Sequence, residues 1–192
     1  DTSVAPTVTN FRTFTICNSF SGNDVDNTLI YENTGTLTSG TITNSGSFQN
    51  KETFGNSGTV SAANVTNAGI FTNSKSFTAT DVDNTLTFGN TGSLTANNSV
   101  TNSGTFQTSE TFSAPTVTNS GTFTNSKSFT ATDIDNTLIF ENTGTLTSGT
   151  ITNSGTFENK ETFGNSGTLT ATSVTNAGIF TNSKSFTATD VD

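Results

Sequence analysis

Four short acidic phrases hold the most reactive side chains of this chain: Asp24-Val25-Asp26, Asp81-Val82-Asp83, Asp133-Ile134-Asp135 and Asp190-Val191-Asp192. Two carboxylates flanking one apolar residue fall on the same side of a strand. There they offer oxygen ligands to Ca²⁺, together with backbone carbonyls, or an acid and a base to a glycosidic bond. No Gly-rich calcium loop surrounds them, and near-identical copies along a chain are unlike one specialised cleft. We read them as solvated acids, keep Asp81, Asp83, Asp133 and Asp135 as the Ca²⁺ candidates, and assign no catalytic residue and no other cofactor. Histidine, Trp and Met are absent and there is one Arg, so proton shuttles, soft metal ligands and bidentate anion clamps are lacking. The expectation is a protein that is not an enzyme.

Hydroxyl-bearing triplets are the second motif: Thr36-Leu37-Thr38, Thr78-Ala79-Thr80 and Thr187-Ala188-Thr189 resemble the flat Thr arrays of ice-binding solenoids. The outward rows they imply are interrupted by Ile30, Ile70, Ile139 and Ile179 and by Gly40, Pro115 and Gly149. Binding of ice or a repetitive glycan is therefore the alternative reading rather than the first.

The elements that must position these groups follow from composition and repetition. Of 192 residues, 46 are Thr, 24 Ser and 25 Asn, while 17 Phe supply most of the burial capacity. A net charge of -9 opposes nucleic acid and anionic membrane surfaces as partners, and no apolar run approaches the roughly 20 residues of a membrane span. The opening at Asp1 without Met suggests an excised product, and the acidic, Cys-poor composition suggests an extracellular or cell-surface setting.

A Val or Ile followed by Thr-Asn or Asp-Asn recurs at Val8, Val25, Ile42, Val65, Val82, Val100, Val117, Ile134, Ile151 and Val174, at intervals of 17 residues, once 18 and twice 23. Residues 25–83 match 134–192 at 51 of 59 positions, an offset of 109. Within a unit, Asn precedes Phe by four residues twice, and apolar and polar residues alternate with the period of a strand. Abundant Thr, Asn and Gly argue against helix.

The expected fold is an all-β solenoid of about ten 17-residue rungs with two 23-residue rungs. Residues 1–24 form a divergent N-terminal rung region continuous with the repetitive solenoid of 25–192. Aligned rungs predict an Asn ladder (Asn10, Asn27, Asn44, Asn67, Asn84, Asn102, Asn119, Asn136, Asn153, Asn176). They also predict an aromatic ladder (Phe14, Tyr31, Phe48, Phe71, Phe88, Phe106, Phe123, Phe140, Phe157, Phe180). They bring Glu52 beside Lys75, Glu110 beside Lys127 and Glu161 beside Lys184, pairs that discourage a slipped stack. The extra six residues of the long rungs, 164–169 in the second copy, are expected to bulge as an arch. Cys17 lies in the most divergent rung and is read as a candidate interchain contact.

The phrases Thr-Asn-Ser-Gly-Thr-Phe (101–106, 118–123, 152–157) and Asn-Thr-Gly-Thr-Leu-Thr (33–38, 142–147) resemble the β-helical shafts of filamentous-haemagglutinin-type adhesins and autotransporter passengers, across residues 8–190. That resemblance implies a surface shaft or adhesin. Unprotected β edges further predict self-association, head-to-tail and laterally, into amyloid-like fibres with a repeat of about 4.8 Å.

Overall fold

In a computed structural model of the chain, the described residues are 2–10, 12–17, 19–27, 30–33, 36–51, 53–160, 162–165 and 169–192. They contain no helix. Twenty-two strands, from Thr2–Asn10 to Phe186–Val191, form a β-solenoid in which each strand pairs in parallel with a strand one coil away. Thr2–Asn10 pairs with Ser19–Asn27, so the divergent N-terminal region joins the same stack.

Each coil has three sides, and each side buries one large apolar residue together with the Asn or Ala at its corner. In successive coils the apolar residues are Val65, Phe71 and Phe77, then Val82, Phe88 and Leu94, then Val100, Phe106 and Phe112, all 0–1% exposed. The two six-residue steps contain a sharp corner after an Asn, as at Asn67-Ala68-Gly69 and Asn73-Ser74-Lys75. The five-residue step turns inside a continuous strand at a buried alanine, such as Ala79 within Phe77–Asn84. The charged residue two places after the second corner Asn thereby turns outward: Lys127 follows the Asn125 corner and is exposed, although strict alternation would have put it on the side of Phe129.

The stack resolves into three core columns. The first runs Val25, Ile42, Val60, Phe77, Leu94, Phe112, Phe129, Leu146, Phe163. The second is Tyr31, Phe48, Val65, Val82, Val100, Val117, Ile134, Ile151, Leu169. The third comprises Phe54, Phe71, Phe88, Phe106, Phe123, Phe140, Phe157, Val174. In the third column the rings from Phe71 to Phe157 lie within 10° of parallel, with centroids 4.5, 4.7, 5.1, 4.9 and 5.4 Å apart. Those distances are the strand spacing itself, so backbone pairing and offset ring stacking are satisfied by one geometry.

These columns correct two expectations. The long units do not bulge: the paired residues are 17 or 18 apart even there, with Ile42 opposite Val60 and Phe48 opposite Val65. A 23-residue unit is one coil plus one further side, and Leu169, expected in an arch, is buried between Ile151 and Phe186 of neighbouring strands. The small β-branched residue consequently moves from the first column to the second after Val60, and to the third at Val174. For the same reason the aromatic ladder is not one column. Tyr31 stacks on Phe48 at 4.9 Å and 12°, but Phe48 meets Phe71 edge-on at 5.9 Å and 79°. Regular coils keep two bulky residues, as in Phe77, Val82 and Phe88, whereas the coil at the first rotation, Val60, Val65 and Phe71, carries one. The single 18-residue interval is absorbed by an irregularity between Ala96 and Ser99.

Phe123 is fully buried between Phe106 and Phe140. Phe123→Ala is expected to lower unfolding free energy by about 3–5 kcal/mol, with hydrogen-exchange protection lost mainly in adjacent coils. A loss below about 1 kcal/mol in a denaturant titration would contradict its core placement.

Candidate functional surfaces

Two of the three corners are sealed by buried amides. Asn67 Nδ2 donates to Asn84 Oδ1 at 2.7 Å, and the relay continues through Asn102, Asn119, Asn136 and Asn153 at 2.5–2.7 Å. A second relay joins Asn73 to Asn90 and, beyond Thr108, Asn125, Asn142, Asn159 and Asn176. Each amide also bridges its own corner: Asn119 Nδ2 donates to Gly121 O at 2.9 Å and to Ile139 O, one coil on, at 2.7 Å. A buried carboxamide is tolerated only with its hydrogen bonds made, and stacking identical amides supplies both donor and acceptor.

Asn10, Asn27 and Asn44 form a third, short relay. It does not continue into Asn67 as the aligned rungs predict, because Asn44 lies opposite Ala62; likewise Asn153 lies opposite Ala171. The extra side shifts the alanine corner by one position in each case.

Glycine at these corners answers to close approach. At Gly104, Gly121, Gly144 and Gly155 an added Cβ would lie 2.1 Å from a carbonyl oxygen one coil below, and none has a positive φ.

Charge is sparse and peripheral. Lys127 Nζ lies 2.6 Å from Glu110 Oε1, both exposed, as the aligned rungs predict. Lys75 and Lys184 are exposed; their expected partners Glu52 and Glu161 lie outside the described residues. A pair that sequence reasoning missed joins Lys160 to Glu141 at 2.5 Å, with Glu158 at 3.5 Å. The hydrogen bond to Glu141 raises the Lys160 pKa. Its signal was available, since Glu141 and Lys160 follow corresponding sides, but one coil and two residues separate them.

The paired aspartates do not gather. Asp81 and Asp83 flank Val82 beside Asn64 and Thr66 on one side and Ser99 and Thr101 on the other; Asp133 and Asp135 lie between Thr116/Thr118 and Thr150/Thr152. Asp81 Oδ1 accepts hydrogen bonds from Asn98 Nδ2 at 2.7 Å and Ser99 Oγ at 2.6 Å. Among the described residues, no three His, Cys, Asp or Glu side chains converge as a metal site. Because the pattern rotates, Val25, Val82 and Val191 stand on different sides, and the same acidic phrase recurs on all three. Cys17 is exposed, with a free thiol.

A regular hydroxyl surface emerges where the sequence triplets did not show it. Astride the first core column, Thr59/Ser61, Ser76/Thr78, Ser93/Thr95, Thr111/Ser113, Ser128/Thr130 and Thr145/Thr147 follow one another in six coils, exposed or half-buried and uncharged. Of the triplet Thr78-Ala79-Thr80, only Thr78 belongs to this face; Thr80 lies past the alanine corner. One shallow depression of about 380 Å³ lies around Lys127, Gly144 and Thr162. Comparison with family models, curated proteins and solved structures finds no match to this chain.

Asn119→Ala leaves Asn102 Nδ2 and Asn136 Oδ1 without their partner and is expected to cost about 1–3 kcal/mol, against under about 0.5 kcal/mol for the exposed Asn98→Ala. Gly121→Ala should be worse than either variant. Equal effects of Asn119→Ala and Asn98→Ala in equilibrium unfolding would contradict the buried relay. Since the folded-state pKa of Lys160 is raised, the stabilisation from its ion pair is present at neutral pH and lost as pH rises through that raised value. Lys160→Ala should therefore narrow the difference between neutral and strongly alkaline stability, and added salt should do the same.

Proposed function

We propose that this chain is an extracellular structural element, a length of shaft in a cell-surface filament, sheath or adhesin, without enzymatic activity. The observation that carries the reading is the uninterrupted run of self-matching columns. Over the described coils the rings from Phe71 to Phe157 and the buried corner amides recur from coil to coil, a uniformity suited to a shaft. Association head-to-tail through stacked layers, with lateral contact through the flat faces, would build a homopolymer. An acidic surface fits neither nucleic acid nor anionic lipid as partner, and no helix among the described residues is long and apolar enough to cross a membrane.

The hydroxyl face favours a second reading, binding of ice or a repetitive glycan. Its hydroxyls repeat at about 4.8 Å along the axis and about 7 Å across a strand, a two-dimensional lattice free of charge.

Two measurements separate the readings. Antibody to the chain should label rods on intact cells or in the surrounding matrix by electron microscopy; label confined to the cell interior would contradict the shaft. Thermal hysteresis should be absent from a shaft. Its presence, with loss in Thr95→Lys and Thr130→Lys, would replace the first reading with the second.

A further inference from the structure

We infer that Asn64 and Asn97 are acceptors for N-linked glycan, placed on one edge of the solenoid; the inference rests on the extracellular reading. The acceptor pattern is Asn, any residue but Pro, then Ser or Thr. With 25 Asn and 70 Ser plus Thr in 192 residues, a random arrangement would hold about nine such sites. This chain has two, Asn64-Val65-Thr66 and Asn97-Asn98-Ser99.

The ladder asparagines escape the pattern because the residue two places on is never Ser or Thr: it is Gly, Leu or Lys at most corners, as in Asn119-Ser120-Gly121, Arg12 after Asn10 and Glu161 after Asn159. At Gly104, Gly121 and Gly155 that choice is enforced by backbone 2.1 Å from any added Cβ. A glycan on a ladder amide would also remove a donor from the relay. Acceptors and ladder are thus mutually exclusive sets.

Both acceptors occur where the chain departs from its own repeat. Asn64 stands where the second copy has Ser173, and Asn97 sits in the irregularity beside Ala96 that absorbs the additional residue. Both side chains are exposed. Ala62, Ala79 and Ala96 are register partners, so the two sites lie two coils apart on the alanine corner, about 10 Å along the axis. Thr66 is exposed, whereas Ser99 Oγ is bound to Asp81, which makes Asn64 the more fully occupied site. Glycans on this edge would hold neighbouring rods away from it and direct lateral contact to the other two corners.

In the transfer, Asn Nδ2 attacks the anomeric carbon of a lipid-linked oligosaccharide diphosphate. The C1–N bond forms, the C1–O bond to diphosphate breaks, the diphosphate leaves with the electron pair, and one amide proton is lost to a base. The co-substrate and its transferase belong to the eukaryotic secretory pathway.

The test is expression of the full 192-residue chain behind a cleavable signal peptide in a eukaryotic cell. Glycopeptides are mapped on all signal-cleaved chain, secreted or retained. The expected result is glycan at Asn64 and Asn97 alone, fuller at Asn64, with the mobility shift abolished in Asn64→Gln/Asn97→Gln and the β-type circular dichroism unchanged. Bare Asn64 and Asn97, or glycan on a ladder asparagine such as Asn119, overturns the inference. Because the signal peptide imposes entry to the pathway, that failure leaves the surface reading standing; the surface reading fails separately, by antibody label found only inside native cells.

Discussion

A parallel stack sets each residue against its counterpart one coil away, at about 4.8 Å. Every column must therefore be compatible with itself, and this chain meets that condition with three kinds of residue. Phenyl rings stack offset on phenyl rings, and the near-parallel series from Phe71 to Phe157 does so at the distance the backbone already requires. Carboxamides relay donor to acceptor, turning a buried polar column into a satisfied one. Alanine fills the tight bend. Charge is self-incompatible in such a stack; it is sparse, Glu110 faces Lys127, and where Glu141 and Glu158 are register partners Lys160 reaches both.

The same condition explains the rotation of the pattern. Keeping a 23-residue coil would leave six residues outside the ladder with their N–H and C=O groups to be satisfied elsewhere. Winding them on as another side keeps the long unit paired with its neighbour, Ile42 on Val60 and Phe48 on Val65, with one register irregularity between Asn44 and Ser47. The consequence reaches the surface: the aspartate pairs, the alanine corner and the exposed isoleucines change sides once per 109-residue block, Ile30 lying beside the second column, Ile70 and Ile139 beside the third and Ile179 beside the first. The hydroxyl face is the side on which, over six coils, no acidic phrase arrives.

Side length, corner residues and the identity of core positions are legible in the sequence because they are local: Asn four residues before Phe, and a buried Val or Ile, recur in plain view. The Glu110–Lys127 contact is legible for the same reason, being one regular coil apart. The phase of one coil on the next is not. It is decided by backbone pairing between residues 17 or 18 apart, which the repeat obscures where it lengthens to 23. Every misplaced partner follows from that one error: Asn44 aligns with Asn67 in the repeat but lies opposite Ala62, and Phe48 aligns with Phe71 but lies opposite Val65. The repeat likewise aligns the outward rows interrupted by Ile30, Ile70, Ile139 and Ile179, whose members the rotation distributes over different sides. Burial also raises the pKa of the Tyr31 phenol, an effect of its place in the second column that no local pattern announces.

The coil-to-coil phase at a long unit is therefore the central claim, and engineered disulfides read it directly. In a Cys17→Ser background, Gln49→Cys with Thr66→Cys places thiols on adjacent paired residues, within the Cα separation of roughly 4.4–6.8 Å that a disulfide spans. Gln49→Cys with Thr72→Cys samples the phase in which Phe48 would sit on Phe71. Under mild oxidation the first pair should cross-link within the monomer and the second should remain reduced. A cross-link in the Gln49→Cys/Thr72→Cys variant, with none in Gln49→Cys/Thr66→Cys, would contradict the rotated stack.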